Sequence, residues 1–329
     1  MTSILVVGGA GYIGSHMVKH LAQLGCDVTT LDNLSGGYRD AVLAGEFVHG
    51  DIADRCLIDN LFRHKKFVAV MHFASFIQVG ESVQHPEKYY QNNFVNTINL
   101  LNAMQASGIN KFVFSSSAAT FGEPQYVPID ELHPQLPINP YGRTKLMVEQ
   151  ALTDYDAAYG IKSVCLRYFN AAGADPDGLL GERHDPETHL IPLLLQVASR
   201  QRTHINVFGR DYDTPDGTCI RDYVHVADLC EAHWLALELL IKGGSSQSFN
   251  LGNGHGFSVQ EVIDVARRVT GSDIPLVDCP RRAGDPARLV ADARLAFESL
   301  NWRPQFCNLD KIIEHAWQWE LNSRLISRY

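Results

Sequence analysis

Ile4-Leu5-Val6-Val7-Gly8-Gly9-Ala10-Gly11-Tyr12-Ile13-Gly14 is the stretch that decides the fold. Four consecutive apolar residues suit a strand buried on both faces, as parallel sheets require. Glycines fall at 8, 11 and 14, and Ile13, Met17, Leu21 and Leu24 then recur at helical spacing up to Gly25. A glycine turn between strand and helix aims backbone N–H groups and the helix dipole at a pyrophosphate. The next strand, 28–31, ends on Asp32. A carboxylate there accepts hydrogen bonds from the ribose hydroxyls of a dinucleotide and repels a 2′-phosphate, which points to NAD rather than NADP. Gly50-Asp51-Ile52, after a third strand, is placed to reach the adenine.

Strand-like and helix-like segments go on alternating: 47–48, 54–63, 68–73, 81–107, 111–115, a helix carrying Tyr141, and 163–168. This repeat calls for an α/β fold, a doubly wound parallel sheet of Rossmann type, with a smaller C-terminal α/β substrate domain. The expected division gives residues 1–170 to NAD, rejoined by about 222–252, and residues 171–221 and 253–329 to the substrate. Residues 81–107 read as one long crossover helix despite Pro86, and with the Tyr141 helix they offer a two-helix face for a homodimer. Residues 171–189, rich in Gly, Pro and charge, suit a functional loop.

The chain has 329 residues, 45% hydrophobic and 20% charged, as expected of a globular enzyme with a sizeable core. A net charge of −9 and no long basic run exclude nucleic acid or an anionic membrane surface as partner. Seven scattered cysteines include no C-x-x-C pair, so reduced thiols in a cytoplasmic protein are expected. No leader-like segment or membrane-length apolar run is read in the sequence. Of fourteen histidines, His184 and His189 flank Asp185 and Glu187, but in a loop without a recognised ligand spacing, so no metal is expected.

Asn139 is a good N-cap and Pro140 a good first helical residue, which starts a helix just before Tyr141. Tyr141 and Lys145, four apart, lie one above the other on that helix. A phenol ionises only near pH ~10 by itself. A lysine cation within reach lowers that value and makes the tyrosine a usable acid/base for a substrate hydroxyl. Phe114-Ser115-Ser116-Ser117 closes a strand, which puts its hydroxyls at the sheet edge where ligands bind, Ser117 nearest Tyr141.

The glycine loop, the strand-end serine and the Y-x-x-x-K pair, in this order, resemble the extended short-chain dehydrogenase/reductase family over essentially the whole chain. The finer resemblance is to the UDP-galactose 4-epimerase family. It rests on Gly8–Gly14, Asp32-Asn33-Leu34, His72-Phe73-Ala74, Phe114–Ser117, Pro140-Tyr141, Leu166–Asn170, Gly217–Val226 and Arg281-Arg282-Ala283-Gly284-Asp285. The resemblance implies Tyr141 as acid/base, Ser117 as its partner, and Lys145 on the nicotinamide ribose with a depressing effect on the Tyr141 pKa. It implies Gly8, Gly11, Tyr12, Ile13, Gly14, Asp32, Asn33, Asp51, Ile52, Phe73, Ala74, Asn92, Ser115 and Tyr168 around NAD. A UDP-sugar is implied as substrate, held by Asn170, His189, Leu190, Val207, Phe208, Arg221, Tyr223, Arg282 and Asp285. Guanidinium forks suit its diphosphate, whereas Arg281 reads as a solvated surface residue. Leu289, aligned with a position that limits room beside the sugar, leaves space for an N-acetyl group, so a UDP-N-acetylglucosamine 4-epimerase or a bifunctional enzyme is the alternative.

Three positions depart from the family pattern. Ile77 stands where some members place a lysine, His189 replaces an asparagine, and Phe121 replaces a tyrosine. A dehydratase of the same family carries Asp-Glu after the serine or threonine, where this chain has Ala118 and Ala119. A silent NAD-binding protein has no use for Ser117, Tyr141 and Lys145 together.

Overall fold

The computed structural model describes residues 2–282 and 284–326; Ala283 of the Arg281–Asp285 motif and the expected domain end at 327–329 lie outside the described residues. Seven parallel strands form one sheet in the order Gln247–Leu251, Lys162–Tyr168, Lys111–Ser117, Ala69–His72, Ser3–Val7, Asp27–Asp32, Glu46–His49. Ser3–Val7 is buried throughout, and its alternate side chains feed two cores. Ile4 and Val6 join Met17, Leu21, Leu229 and Leu237 on one face. Leu5 and Val7 join Ile58, Leu100, Val148 and Leu152 on the other. The continuous apolar run at 4–7 is thus a strand covered by helices on both sides.

From Ser3–Val7 the chain winds outward to Glu46–His49, then crosses to Ala69–His72 on the other side and winds the opposite way. The first and fourth strands therefore part at their carboxyl ends, which is the switch point where this architecture forms its crevice. The strand Gln247–Leu251 pairs with Lys162–Tyr168 at the far edge, so the chain comes back to the large sheet after leaving it. A smaller core beyond the sheet gathers Ile191, Leu194, Val207, Tyr223, Val262 and Ile313, with helices Leu190–Ala198, Val259–Thr270 and Leu309–Ile326 around it.

Residues 81–107 are not one helix. Val79–Gln84 ends at His85, Pro86–Tyr89 begins anew, Tyr90–Val95 makes a π turn, and Asn96–Ser107 completes the crossover. Pro86 has no N–H to donate to the preceding turn and holds His85 out of helical geometry (φ −130°, ψ 61°). The wide turn has a local purpose. Asn93, buried within it, accepts from the Phe76 N–H and donates to the Phe76 carbonyl, both at 2.9 Å.

The helix Pro140–Tyr159 starts where its sequence indicates: Asn139 accepts from the Gly142 N–H at 2.9 Å, and Gly160 in left-handed geometry (φ +69°) stops it. Glu149, on the turn after Lys145, anchors this helix to the sheet. It accepts two hydrogen bonds from Arg167 Nε, at 3.0 and 3.1 Å, and one from Nη2 at 2.6 Å, with the Ser116 hydroxyl adding another. Both charged side chains are nearly inaccessible, 7% and 6% exposed. Removing one partner of such a pair strands the other charge away from water, which costs about 3–5 kcal/mol. Arg167→Met is therefore expected to lower stability by about that much, and Arg167→Met/Glu149→Leu to recover most of it. Urea midpoints of the three proteins check this; equal losses in the single and double variants would contradict it.

Candidate active site

A cleft of about 880 Å3 opens at the switch point. Its inner end is shaped by glycines. Gly8 sits at φ +79°, and a Cβ there would overlap the Ala74 backbone on the neighbouring strand end; one on Gly14 would overlap the Gly8 carbonyl. The bare backbone lets a ligand's phosphates approach the start of helix Tyr12–Gln23. Asp32 accepts from the Ala10 N–H at 2.9 Å and the Leu34 N–H at 2.8 Å, and burial outweighs both bonds in raising its pKa. Among the described residues no lysine or arginine pairs with it, so nothing there would offset a 2′-phosphate. Asn33 donates to Asp51 at 2.6 Å beside it. Bare glycine backbone plus a lone carboxylate is a donor set that fits NAD.

Tyr141 lines the cleft together with Ser117, Ala118 and Ala119. Lys145 stands behind it, 3% exposed and outside the cleft lining, and donates to Ser75 Oγ and the Ser115 carbonyl, each at 2.8 Å. Burial lowers the Lys145 pKa to about 7, against the pull of Glu149. Burial also raises the Tyr141 pKa, and a hydrogen bond with Ser117 only partly opposes this. The expected depression by Lys145 is thus not what the protein groups alone produce. Its Nζ is 5.8 Å from the Tyr141 ring centre, and a lysine that loses its proton near neutrality carries no charge at the pH where a buried phenol ionises. In the protein alone, Lys145 is a fixed hydrogen-bond donor.

The outer end is built by the loop before helix Leu190–Ala198 and by residues 221 and 284–289. Arg221 donates to the carbonyls of Ile220 and Pro286, each at 2.9 Å, and reaches Asp285 at 3.4 Å. Arg183, by contrast, turns away to the dinucleotide side, where it pairs with Asp40 at 2.7 Å and stacks 3.9 Å over the Tyr38 ring. Glu182, His184, Glu187 and His189 converge on one another. Burial disfavours the Glu182 carboxylate, yet His189 and His184 outweigh it and hold its pKa at about 2. Burial likewise works against the His184 imidazolium, and Glu182 and Glu187 outweigh it to raise the pKa to about 10.

Of the expected dinucleotide residues, Gly8, Gly11, Tyr12, Ile13, Gly14, Asp32, Asn33, Asp51, Ile52, Phe73, Ala74, Asn92 and Tyr168 line the cleft. Ser115 does not; its hydroxyl lies 2.8 Å from His233 Nε2 behind the strand. Asn170, His189, Arg221, Asp285 and Leu289 line the substrate end. Leu190, Val207, Phe208, Tyr223 and Arg282 stand outside the lining. Val207 and Tyr223 are buried in the smaller core, and Arg282 stacks 4.2 Å over the Phe208 ring. Arg281 pairs with Asp211 at the surface, as a solvated residue should. Phe121 is fully buried, so its missing phenol takes nothing from the cleft surface. Ile77 lines the cleft. Residues not expected from the sequence include Tyr38, Ser75, Phe76, Phe169 and Glu182. Only the carboxylate at 182, two residues before His184, left a readable trace.

A family model described as the NAD dependent epimerase/dehydratase family matches residues 4–252. A UDP-glucose 4-epimerase of Halalkalibacterium halodurans is 54% identical over 317 residues, 96% of this chain and 95% of that protein. The crystal structure of UDP-glucose 4-epimerase from Brucella ovis in complex with NAD is similar at TM-score 0.94 and 50% identity, covering 96% of this chain and 98% of that one. The enzyme from Bifidobacterium longum in complex with NAD+ and UDP is similar at TM-score 0.92 and 37% identity, covering 98% and 99%.

The depressed Lys145 pKa has a measurable consequence. A lysine at about 7 in the folded chain and about 10.4 unfolded binds fewer protons when folded between those values, so its contribution to stability grows as pH rises. For the chain freed of dinucleotide, stability is expected to rise by about 2 kcal/mol from pH 7 to 9 relative to Lys145→Met. Urea midpoints at the two pH values measure it; parallel pH dependence in both proteins would refute the assignment.

Proposed function

Because the chain belongs to the NAD dependent epimerase/dehydratase family, we propose that it is an isomerase that interconverts UDP-glucose and UDP-galactose at C4 of the sugar. The observation that carries this reading is Tyr141 beside Ser117 in the NAD-fitting cleft, with Ala118 and Ala119 next in the lining. Tyr141 takes the proton from the 4′-hydroxyl and returns it after the sugar has turned over. Ser117 holds the same oxygen and steadies the phenolate, and Lys145, locked to Ser75 and the Ser115 carbonyl, fixes the depth of the Tyr141 helix against the sheet. NAD, when bound, supplies a reversible hydride acceptor and a cationic ring, so oxidation and reduction at one carbon leave no net redox change.

A keto sugar must be free to turn while its nucleotide stays put. Asn170, His189, Arg221 and Asp285, away from Tyr141, suit the UDP part, and that remote binding retains the intermediate. The missing second acid/base pair at Ala118 and Ala119 stops the chemistry short of dehydration. The N-acetylated alternative has less support, because the similar proteins at 50–54% identity carry the name UDP-glucose 4-epimerase. As a domain reading, residues 1–170 with about 222–252 hold NAD, and 171–221 with 253–329 hold the UDP-sugar.

The reading extends to a cytoplasmic homodimer. Seven free thiols suit a reducing compartment, and no helix of the described residues is long and apolar enough to cross a membrane. Val83 and Val95 are exposed and Leu146 and Met147 half-buried on the helices facing away from the sheet, an apolar surface suited to a twofold partner. Sedimentation at micromolar concentration should give the dimer mass, and a monomer would remove this part.

Tyr141→Phe is expected to cut UDP-galactose turnover by about 10²–10⁴-fold while leaving bound NAD, read by absorbance of the released dinucleotide, unchanged. Near-normal turnover in this variant would overturn the assignment of the base.

A further inference from the structure

Five of the eight residues in Glu182-Arg183-His184-Asp185-Pro186-Glu187-Thr188-His189 can ligate a metal, and four of them converge on one another. Asp185, which the sequence would have paired with the histidines, is not among them. One ligand atom from each of Glu182, His184, Glu187 and His189 lies within 4.8 Å of every other. The contacts use the same imidazole nitrogen in both rings. His184 Nδ1 is 3.3 Å from Glu182 Oε1 and 3.5 Å from Glu187 Oε2, and His189 Nδ1 is 2.6 Å from Glu182 Oε1 and 3.5 Å from Glu187 Oε1.

The same distances suit histidine–carboxylate ion pairs, in which the proton on each Nδ1 occupies the place a cation would take. Both Nδ1 atoms are shielded from solvent and face only the two carboxylates, with aligned hydrogen-bond geometry to neither. A tetrahedral zinc with bonds of about 2.0–2.1 Å to nitrogen and oxygen sets its ligand atoms about 3.3–3.4 Å apart. The His184–Glu182 spacing and the approaches of both Nδ1 atoms to Glu187, which use different oxygens of that carboxylate, are within a few tenths of an ångström of that value; His189–Glu182 must open by less than one ångström, and the wider pairs, all within 4.8 Å, must close. The side chains of Glu182 and Glu187 are only 7% and 4% exposed, and among the described residues no lysine or arginine pairs with either. Glu187 is held in place by its own loop, accepting from the N–H groups of Thr188 at 2.7 Å and His189 at 2.8 Å. Two imidazoles and two carboxylates are a donor set that zinc accepts.

We propose that Glu182, His184, Glu187 and His189 form a tetrahedral site for a zinc-class divalent cation on the wall of the cleft, separate from Tyr141. The ion closes the 182–189 loop on itself and fixes the angle at which helix Leu190–Ala198 leaves it. It also settles a tautomer. The His189 side chain is 43% exposed while its Nδ1 is shielded, so the open edge of the ring is the one carrying Nε2. Metal on Nδ1 keeps the proton on Nε2 and offers a fixed N–H donor to the cleft. That last consequence rests on the proposed UDP-sugar reading; the metal site does not.

The test uses the full, untagged chain, equilibrated with zinc sulfate and passed through gel filtration, with metal counted by mass spectrometry. One zinc per chain is expected in the wild type and none in His184→Ala or Glu187→Gln. Competition against a chromophoric chelator should show zinc affinity falling in either variant by more than the ~10–100-fold that loss of a bond supporting a ligand costs. Cobalt in place of zinc should give the visible absorption of a tetrahedral centre in the wild type alone. Wild type that holds no more zinc than the variants, or that cannot withdraw zinc from a chelator of micromolar affinity, overturns the proposal even if the variants fold badly. Because metal content is read without substrate, a failed epimerase assay leaves this result standing, and the reverse also holds.

Discussion

Two neighbouring strand ends meet a single steric limit. Where Ser3–Val7 and Ala69–His72 part, the turn leaving the first presses its backbone on Ala74 of the second, and only a residue without a Cβ fits at Gly8. Everything in the cleft depends on this contact. It brings the start of helix Tyr12–Gln23 to the crevice, keeps its N–H groups uncovered, and sets Asp32 one strand away. The chemistry of anion binding follows from backbone that cannot be covered.

Around Tyr141 the governing term is desolvation. Burial lifts the phenol's pKa and lowers the lysine's, so each group is neutral over a wider range of pH than it would be in water. The helix carrying both is fixed from below by the Glu149–Arg167 pair, whose carboxylate also takes the Ser116 hydroxyl. Ser115, Ser116 and Ser117 all serve the helix Pro140–Tyr159, each through a different group. The first offers its carbonyl to Lys145, the second its hydroxyl to the anchor, and the third its hydroxyl to Tyr141.

How much of this was legible depended on whether the signal was local. The strand–glycine–helix unit, the Asn139-Pro140 helix start and Ser117 at a strand end are set by neighbours in sequence and stand as read, whereas the Ser115 and Ser116 hydroxyls turn to His233 and Glu149 instead of the cleft. The break at Pro86 was visible but undervalued, because periodicity across 81–107 continues on both sides of it. Tyr223 and Val207 were expected at the substrate and instead fill the smaller core, since an aromatic or β-branched residue on a short strand reads alike in either setting. Glu182 was missed because its partners are chosen by the path of a loop, which has no period to betray it. Lys145 reads in the sequence as a cation, but its burial, which lowers its pKa, is decided by the packing of the whole helix against the sheet.

Arg183 joins two segments that are far apart in the sequence. From the loop that walls the substrate end it reaches across to Asp40 and lies over Tyr38, residues at the dinucleotide end. The contact ties residues 182–189 to the segment that follows the second strand. Such a bridge adds little binding energy, because its carboxylate is mostly exposed. Its effect is on the loop itself: residues 182–189 cannot swing away from the glycine-rich end without breaking the Asp40 pair and lifting the guanidinium off the Tyr38 ring.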